Sequence, residues 1–125
     1  MTVVIDTSVL LAVFFNESHA RWCAARLDEH RDDLVMSTVN LAETLMRVKD
    51  RQPRDFPKLE RRLLNSGIRH VEPDVDQARI AALARDRYPL NMGDCFAYAL
   101  SVVLDSPILT LDKDFRKTDR PLLMP

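Results

Sequence analysis

Apolar and polar positions alternate along this chain in short blocks. Val3-Val4-Ile5 places three β-branched residues in a row, which predicts a strand buried on both faces. The apolar run stops at Asp6. Val9 to Phe15 then predicts a helix, with Thr7 and Ser8 supplying hydroxyls for its first free N–H groups. Glu17 to His30 reads as an amphipathic helix with Trp22, Ala25 and Leu27 inward, and Leu34-Val35-Met36 as a second strand. Ser37 and Thr38 introduce a helix carrying Leu41, Leu45 and Val48 at i, i+4 and i+7. A break over Arg51 to Asp55 contains Pro53. Pro57 suits the first turn of the next helix, which runs through Leu63 and Leu64 and ends at Ser66-Gly67.

The second half repeats the alternation. Ile68 to Val71 reads as a third strand, stopped by Pro73, and Asp74-x-x-Gln77 resembles a capping box opening a helix through Ile80, Leu83 and Ala84. After a loop over Tyr88 to Gly93, Asp94 to Leu104 is helical and apolar nearly all round, so it belongs in the interior. Pro107 to Leu111 is the fourth strand. Phe115 and Leu122-Leu123-Met124 pack back on the body, the latter as an edge strand. Alternating strands and helices predict an α/β fold: a parallel sheet of four to five strands with helices on both faces. At 125 residues the chain is expected to form one domain, 1–125, with a single core.

Composition narrows the function classes. The hydrophobic share of 46% and charged share of 30% are those of a soluble globular protein. With 2 glycines outside any G-x-G pattern there is no glycine-rich phosphate loop. The pair Cys23 and Cys95 makes no disulfide framework, which fits a reducing compartment. No signal peptide or membrane-spanning apolar run is present, so the expected location is cytoplasmic, away from any membrane. Net charge is −1, and the chain as a whole carries no nucleic-acid signature. Its distribution is uneven: Arg47, Lys49, Arg51, Arg54, Lys58, Arg61 and Arg62 face three acids, Asp50, Asp55 and Glu60. A second basic group is Lys113, Arg116, Lys117 and Arg120. Each group either meets phosphates or is a solvated face laced with charge pairs.

The chemistry lies where acids interrupt apolar structure. Asp6 ends the first strand, Glu43 lies early in the helix after the second, Asp94 opens the buried helix and Asp112 ends the fourth strand. In a parallel sheet all four fall near one edge, the carboxyl ends of the strands, where open α/β sheets bind ligands. Carboxylates gathered there repel one another unless cations neutralise them. A hard divalent ion, Mg²⁺ or Mn²⁺, is the natural partner, and it suits phosphodiester hydrolysis. Each acid also has a plain structural reading. Asp6 caps the following helix; Glu43 completes an Asn40-x-x-Glu43 capping box or pairs with Arg47; Asp94 is an N-cap or first-turn acid; Asp112 caps the turn toward Phe115.

Four segments resemble the PIN-domain family, and specifically the VapC-type toxins of bacterial and archaeal toxin–antitoxin pairs. They are Val4-Ile5-Asp6-Thr7-Ser8-Val9-Leu10, Ser37-Thr38-Val39-Asn40-Leu41-Ala42-Glu43, Gly93-Asp94-Cys95-Phe96-Ala97-Tyr98-Ala99-Leu100 and Leu109-Thr110-Leu111-Asp112-Lys113-Asp114-Phe115. The resemblance implies a five-stranded parallel sheet and a Mg²⁺- or Mn²⁺-dependent endoribonuclease. Its acids map onto Asp6 and Asp94 as principal ligands, Glu43 as a ligand or positioner of the attacking water, and Asp112 at a second ion or its water shell. Asp114, two residues on, competes for that fourth role. Thr7, Ser8 and Thr110 would orient carboxylates or waters, with Asn40 as a further supporting residue. The resemblance also implies a homodimer, a VapB-like antitoxin covering the acidic groove, and structured RNA, transfer RNA foremost, as substrate. The alternative within the same fold is an inert RNA- or protein-binding module.

Other readings weaken on inspection. A phosphoaspartyl phosphatase needs an aspartate two positions after Asp6, where Ser8 stands. Cys95 turns about 100° away from Asp94 on a helix and reads as a small core residue. His19, His30 and His70 lack metal-ligand spacing and read as surface residues, while Phe14, Phe15 and Trp22 read as core or dimer contacts.

Overall fold

The computed structural model describes all 125 residues. Five parallel strands form one sheet in the order β3-β2-β1-β4-β5. They are β1 (Val3–Ile5), β2 (Leu34–Ser37), β3 (Arg69–Val71), β4 (Ile108–Leu109) and β5 (Leu122–Leu123). β1 lies at the centre, paired through Val4↔Val35 with β2 and through Ile5↔Leu109 with β4. From β1 the chain steps outward to β2 and β3, then crosses back to β4 and β5 on the other side. The switch point of the sheet therefore falls between β1 and β4, where a crevice opens at the carboxyl ends of the strands.

Six α-helices cover the sheet: α1 (Thr7–Phe14), α2 (Ala20–Glu29), α3 (Thr38–Arg51), α4 (Phe56–Leu64), α5 (Val75–Arg87) and α6 (Met92–Leu104). Side chains alternate across the pleat, and the core divides accordingly. Val3, Ile5 and Met36 pack against Val9, Leu10, Cys23 and Leu63 from α1, α2 and α4. On the opposite side Val4 and Val35 meet Leu100 of α6, and Ile108 meets Ala97 and the α5 residues Ala81 and Ala84. With both faces covered, an uninterrupted β-branched run is what the central strand requires. No helix is long and apolar enough to cross a membrane.

Start signals hold where their donors are local. Ser37 accepts a hydrogen bond from the Val39 N–H at 3.2 Å, and Asp74 accepts one from the Gln77 N–H at 2.9 Å. Gly67 follows α4 with a φ of 85°, a left-handed position that favours glycine. The C-terminal Leu122-Leu123 is the edge strand that its apolar pattern predicts.

Several expectations need correction. α2 turns Cys23 inward and leaves Ala25 exposed, because two residues on a helix are 200° apart. Trp22 and Leu27 are half-buried against the core as expected. On α5 the buried stripe is Gln77, Ala81 and Ala84, and Leu83 points to solvent. α1 begins at Thr7, so the Thr7 and Ser8 hydroxyls lie inside it and cap nothing. His70 is half-buried on β3 with its Nε2 enclosed and unpartnered, and burial lowers its pKa. Cys95 is the core residue it was expected to be.

After β4 the chain turns into a short 3₁₀ helix, Lys113–Lys117, whose Phe115 is completely buried against α5, α6 and β4. That ring anchors the segment bearing Asp112. Phe115→Ala should cost about 3–5 kcal/mol in urea-induced unfolding. A loss under 1 kcal/mol would show that the segment is held by something other than this ring.

Candidate active site

Asp6 follows the central strand at the switch point. It occupies the N-cap position of α1, yet its side chain caps no backbone N–H. The carboxylate turns instead toward β4. Its Oδ2 accepts from the Ser8 Oγ at 2.8 Å and from the Thr110 Oγ1 at 2.8 Å. Those hydroxyls are pinned in turn, since Ser8 Oγ accepts from the Leu111 N–H at 3.0 Å and Thr110 Oγ1 from the Asp112 N–H at 2.9 Å. No protein group donates to Oδ1. Only 2% of Asp6 is exposed.

Asp94 enters from α6. Asn91 is the N-cap, its side chain accepting from the Asp94 N–H at 2.8 Å while the Asn91 N–H points back to Asp94 Oδ2 at 3.4 Å. This capping box fixes the carboxylate in the first turn of the helix, with 6% exposure. Of its two plain readings Asp94 fulfils one: it is a first-turn acid and not the N-cap, which is Asn91, and it also faces the cleft.

α3 brings Glu43, and two contacts seat it. Asn40, wholly buried, donates from Nδ2 to the Gly93 carbonyl at 3.0 Å, tying α3 to the start of α6. A Cβ on Gly93 would stand 2.8 Å from Glu43 Oε1, so the Glu43 carboxylate lies directly against a glycine. Asn40 is inside α3 and forms no capping box with Glu43; Glu43 forms no ion pair with Arg47. Thr7 completes the brace: its hydroxyl donates to the Asn40 carbonyl at 3.2 Å.

Asp112 caps the 3₁₀ turn by accepting from the Asp114 N–H at 2.9 Å, as its plain reading holds. It also lines the cleft, and Asp114 does not. The cleft has a volume of about 160 Å³, and Asp6, Glu43, Asp94 and Asp112 all border it, with Thr7, Ser8, Leu11, Arg47 and Asn91. Thr110 acts from behind Asp6. Leu11, Arg47 and Asn91 are the lining residues that sequence reasoning did not place at the site; for Arg47, a cation one helical turn after Glu43, the signal was read only as an ion pair or a phosphate contact.

The electrostatics follow from burial. Desolvation, opposed by the two hydroxyl donors and reinforced by the charges of Asp112 and Glu43, moves the Asp6 pKa from 3.8 up to about 6. Desolvation together with Asp6 and Asp112 moves Asp94 from 3.8 up to about 7. The donor set is hard oxygen with one cationic side chain, which fits a hard divalent ion. No three Asp, Glu, His or Cys side chains are grouped tightly enough to hold an ion among themselves. An ion held here would therefore draw part of its coordination from water.

Comparison with known proteins identifies the family. The PIN domain family profile matches residues 3–121. The chain is a PIN domain of the VapC family. Ribonuclease VapC of Mycolicibacterium smegmatis is 37% identical over 128 residues, covering 94% of this chain and 96% of that one. Two solved structures share the fold at lower identity. Mycobacterium tuberculosis VapC20, described as a Sarcin-Ricin loop cleaving toxin, superposes with a TM-score of 0.82 at 18% identity over 99% of this chain and 100% of that one. A toxin–antitoxin complex from Klebsiella pneumoniae gives 0.78 at 18% over 98% and 96%.

The raised pKa values of this PIN domain carry a stability consequence. In the unfolded chain both carboxyls titrate near 3.8; in the folded chain near 6 and 7. The native state thus holds protons more tightly across that window, and its stability falls as pH rises from about 4 to about 7. In chelator, Asp94→Asn should flatten this decline and unfold at least as late as the parent at pH 8, by on the order of 1 kcal/mol. A variant less stable than the parent at pH 8 would refute the charge-repulsion account.

Proposed function

We propose that this chain, acting as one domain over residues 1–125, is a divalent-cation-dependent endoribonuclease and the toxin of a toxin–antitoxin pair. The observation that carries this reading is the cleft itself: four acids from four separate segments border one small cavity at the switch point, two of them buried. The named relative supports the ribonuclease class.

Asp6 and Asp94 are the principal candidates to hold Mg²⁺ or Mn²⁺, with Glu43 and Asp112 acting directly or through waters. The ion would neutralise the acids, orient phosphate oxygens and lower the pKa of a water. The protein's own groups do the rest. Ser8 and Thr110 fix the Asp6 carboxylate through Oδ2, leaving Oδ1 toward the cleft. Glu43, braced against Gly93, holds the attacking water and takes its proton. The water oxygen bonds to phosphorus while the bond to the leaving ribose oxygen breaks, and that oxygen takes a proton from solvent water to leave as a hydroxyl. Structured RNA, transfer RNA foremost, is the proposed substrate. A VapB-like antitoxin covering the acidic groove and a homodimer complete the reading; the fold shared with a toxin–antitoxin complex supports the former.

End-labelled transfer RNA, incubated with Mn²⁺, with Mg²⁺ or with chelator, tests this directly. Site-limited cuts should appear with metal, vanish in chelator, and fall more than about 100-fold in Asp94→Asn. Cuts that persist in chelator would sink the metal-dependent mechanism. Absence of both cleavage and Mn²⁺-induced thermal stabilisation would leave an inert module.

Gly93→Ala probes the seat of Glu43 separately. Glu43 is a side chain able to move aside, so thermal stability should change little, while cleavage drops roughly 10–100-fold. Full activity would mean that the position of Glu43 is not limiting.

A further inference from the structure

Arg47 lies one helical turn after Glu43 on α3, so the two share a face of the helix. An acid four residues before a base is the favourable order for an ion pair. The pair is not made. The Glu43 carboxylate is turned against Gly93 instead, and none of the five ion pairs in the molecule includes Arg47. Its basic neighbours on the helix are held. Lys49 stands 4.7 Å from the centre of the Phe56 ring. Arg51 donates to Glu17 Oε2 at 3.0 Å and lies 4.3 Å from the centre of the Phe15 ring. Arg47 is exposed and has neither an acceptor nor a ring.

This unpaired cation borders the cleft that Asp6, Glu43, Asp94 and Asp112 line, and it is the one basic residue to do so. A cation placed to neutralise those acids would be paired with one of them. Arg47 keeps its N–H donors free. Glu43 and Arg47 also border an adjoining open groove of about 610 Å³. The cleft thus opens into a larger groove on the side where Arg47 stands, which gives a polymer room to cross it.

Phosphodiester hydrolysis has a charge requirement that a cleft of acids does not meet. The phosphate carries a negative charge on its non-bridging oxygens, and that charge must be stabilised as water attacks. Four carboxylates outweigh a single divalent ion, so the phosphate approaches them against net repulsion. A guanidinium answers both problems. Its planar fork of N–H groups matches phosphate oxygens, and it stays charged throughout the physiological pH range. We propose that Arg47 donates to a non-bridging oxygen of the phosphodiester in the cleft, orienting it for attack and stabilising the charge that builds there. This rests on the ribonuclease reading of the cleft.

The test compares the parent with Arg47→Gln and with Lys49→Gln, an equal loss of charge on the same helix but off the cleft lining. The substrate is whichever RNA of a total cellular extract the parent cuts. Mn²⁺ affinity is measured calorimetrically without RNA, and thermal melting follows the fold. Arg47 is exposed and unbonded, so Arg47→Gln should melt as the parent does. It should bind Mn²⁺ at least as tightly, because a positive charge has left the acids. At saturating RNA its cleavage should fall roughly 100-fold, with more of the loss in kcat than in KM because the contact strengthens as charge builds. Lys49→Gln should stay within about 3-fold of the parent, since salt screens an exposed charge away from the cleft. Parental cleavage by Arg47→Gln overturns the assignment. So do equal losses in the two variants, which mark general attraction, and weakened Mn²⁺ binding in Arg47→Gln, which marks a support for the acids. If the parent itself cuts no RNA, the ribonuclease reading falls and takes the role of Arg47 with it.

Discussion

An aspartate at the end of the central strand, shut away from water and surrounded by other acids, is the constraint on which this structure turns. β1 lies between β2 and β4, so Asp6 leaves the sheet at its switch point, where neither face is open. Two hydroxyls hold one of its oxygens, and those hydroxyls are locked by the backbone N–H groups of Leu111 and Asp112. Isolated buried carboxylates are expensive, and here burial and repulsion move two of them toward neutrality. Such an arrangement persists only because the surrounding core is rigid enough to impose it. The apolar packing of Val3, Val4 and Ile5 on both faces is that support.

The second support is the junction between α3 and α6. It uses small and polar groups instead of large apolar ones. Thr44 and Thr7 share hydrogen bonds around the Asn40 carbonyl, and Asn40 reaches across to the Gly93 carbonyl. A bulky side chain at position 93 would displace Glu43. Close approach of the two helices therefore sets the spacing between Glu43 and Asp94, and polar bonds give that spacing a direction that dispersion alone does not.

Much of this was readable because the relevant forces are local. A β-branched run declared β1 and a short apolar run β2, the Ser37 and Asp74 caps declared α3 and α5, and the positions of Asp6, Glu43, Asp94 and Asp112 declared a shared edge. What failed also failed for a physical reason. Hydropathy favoured Ala25 and Leu83 as inward residues, yet helical phase turned Cys23 and Gln77 to the core in their place. Thr7 and Ser8 looked like caps, but partners 33 and more residues away in sequence captured their hydroxyls. The charge run from Arg47 to Arg62 was ambiguous in sequence, because spacing permits ion pairs without showing that they form.

The sequence by itself determined the alternation of elements, the parallel sheet and the edge at which the acids collect. These follow from periodicity and from the chirality of strand connections, which depend on a few neighbouring residues at a time. Only the tertiary structure decided which oxygen of Asp6 is occupied, that Asp112 and not Asp114 faces the cleft, and that Arg47 is its one cation. Those outcomes depend on side chains meeting across segments as far apart as Asp6 and Thr110. Such meetings are set by the packing of the whole core and leave no periodic trace along the chain.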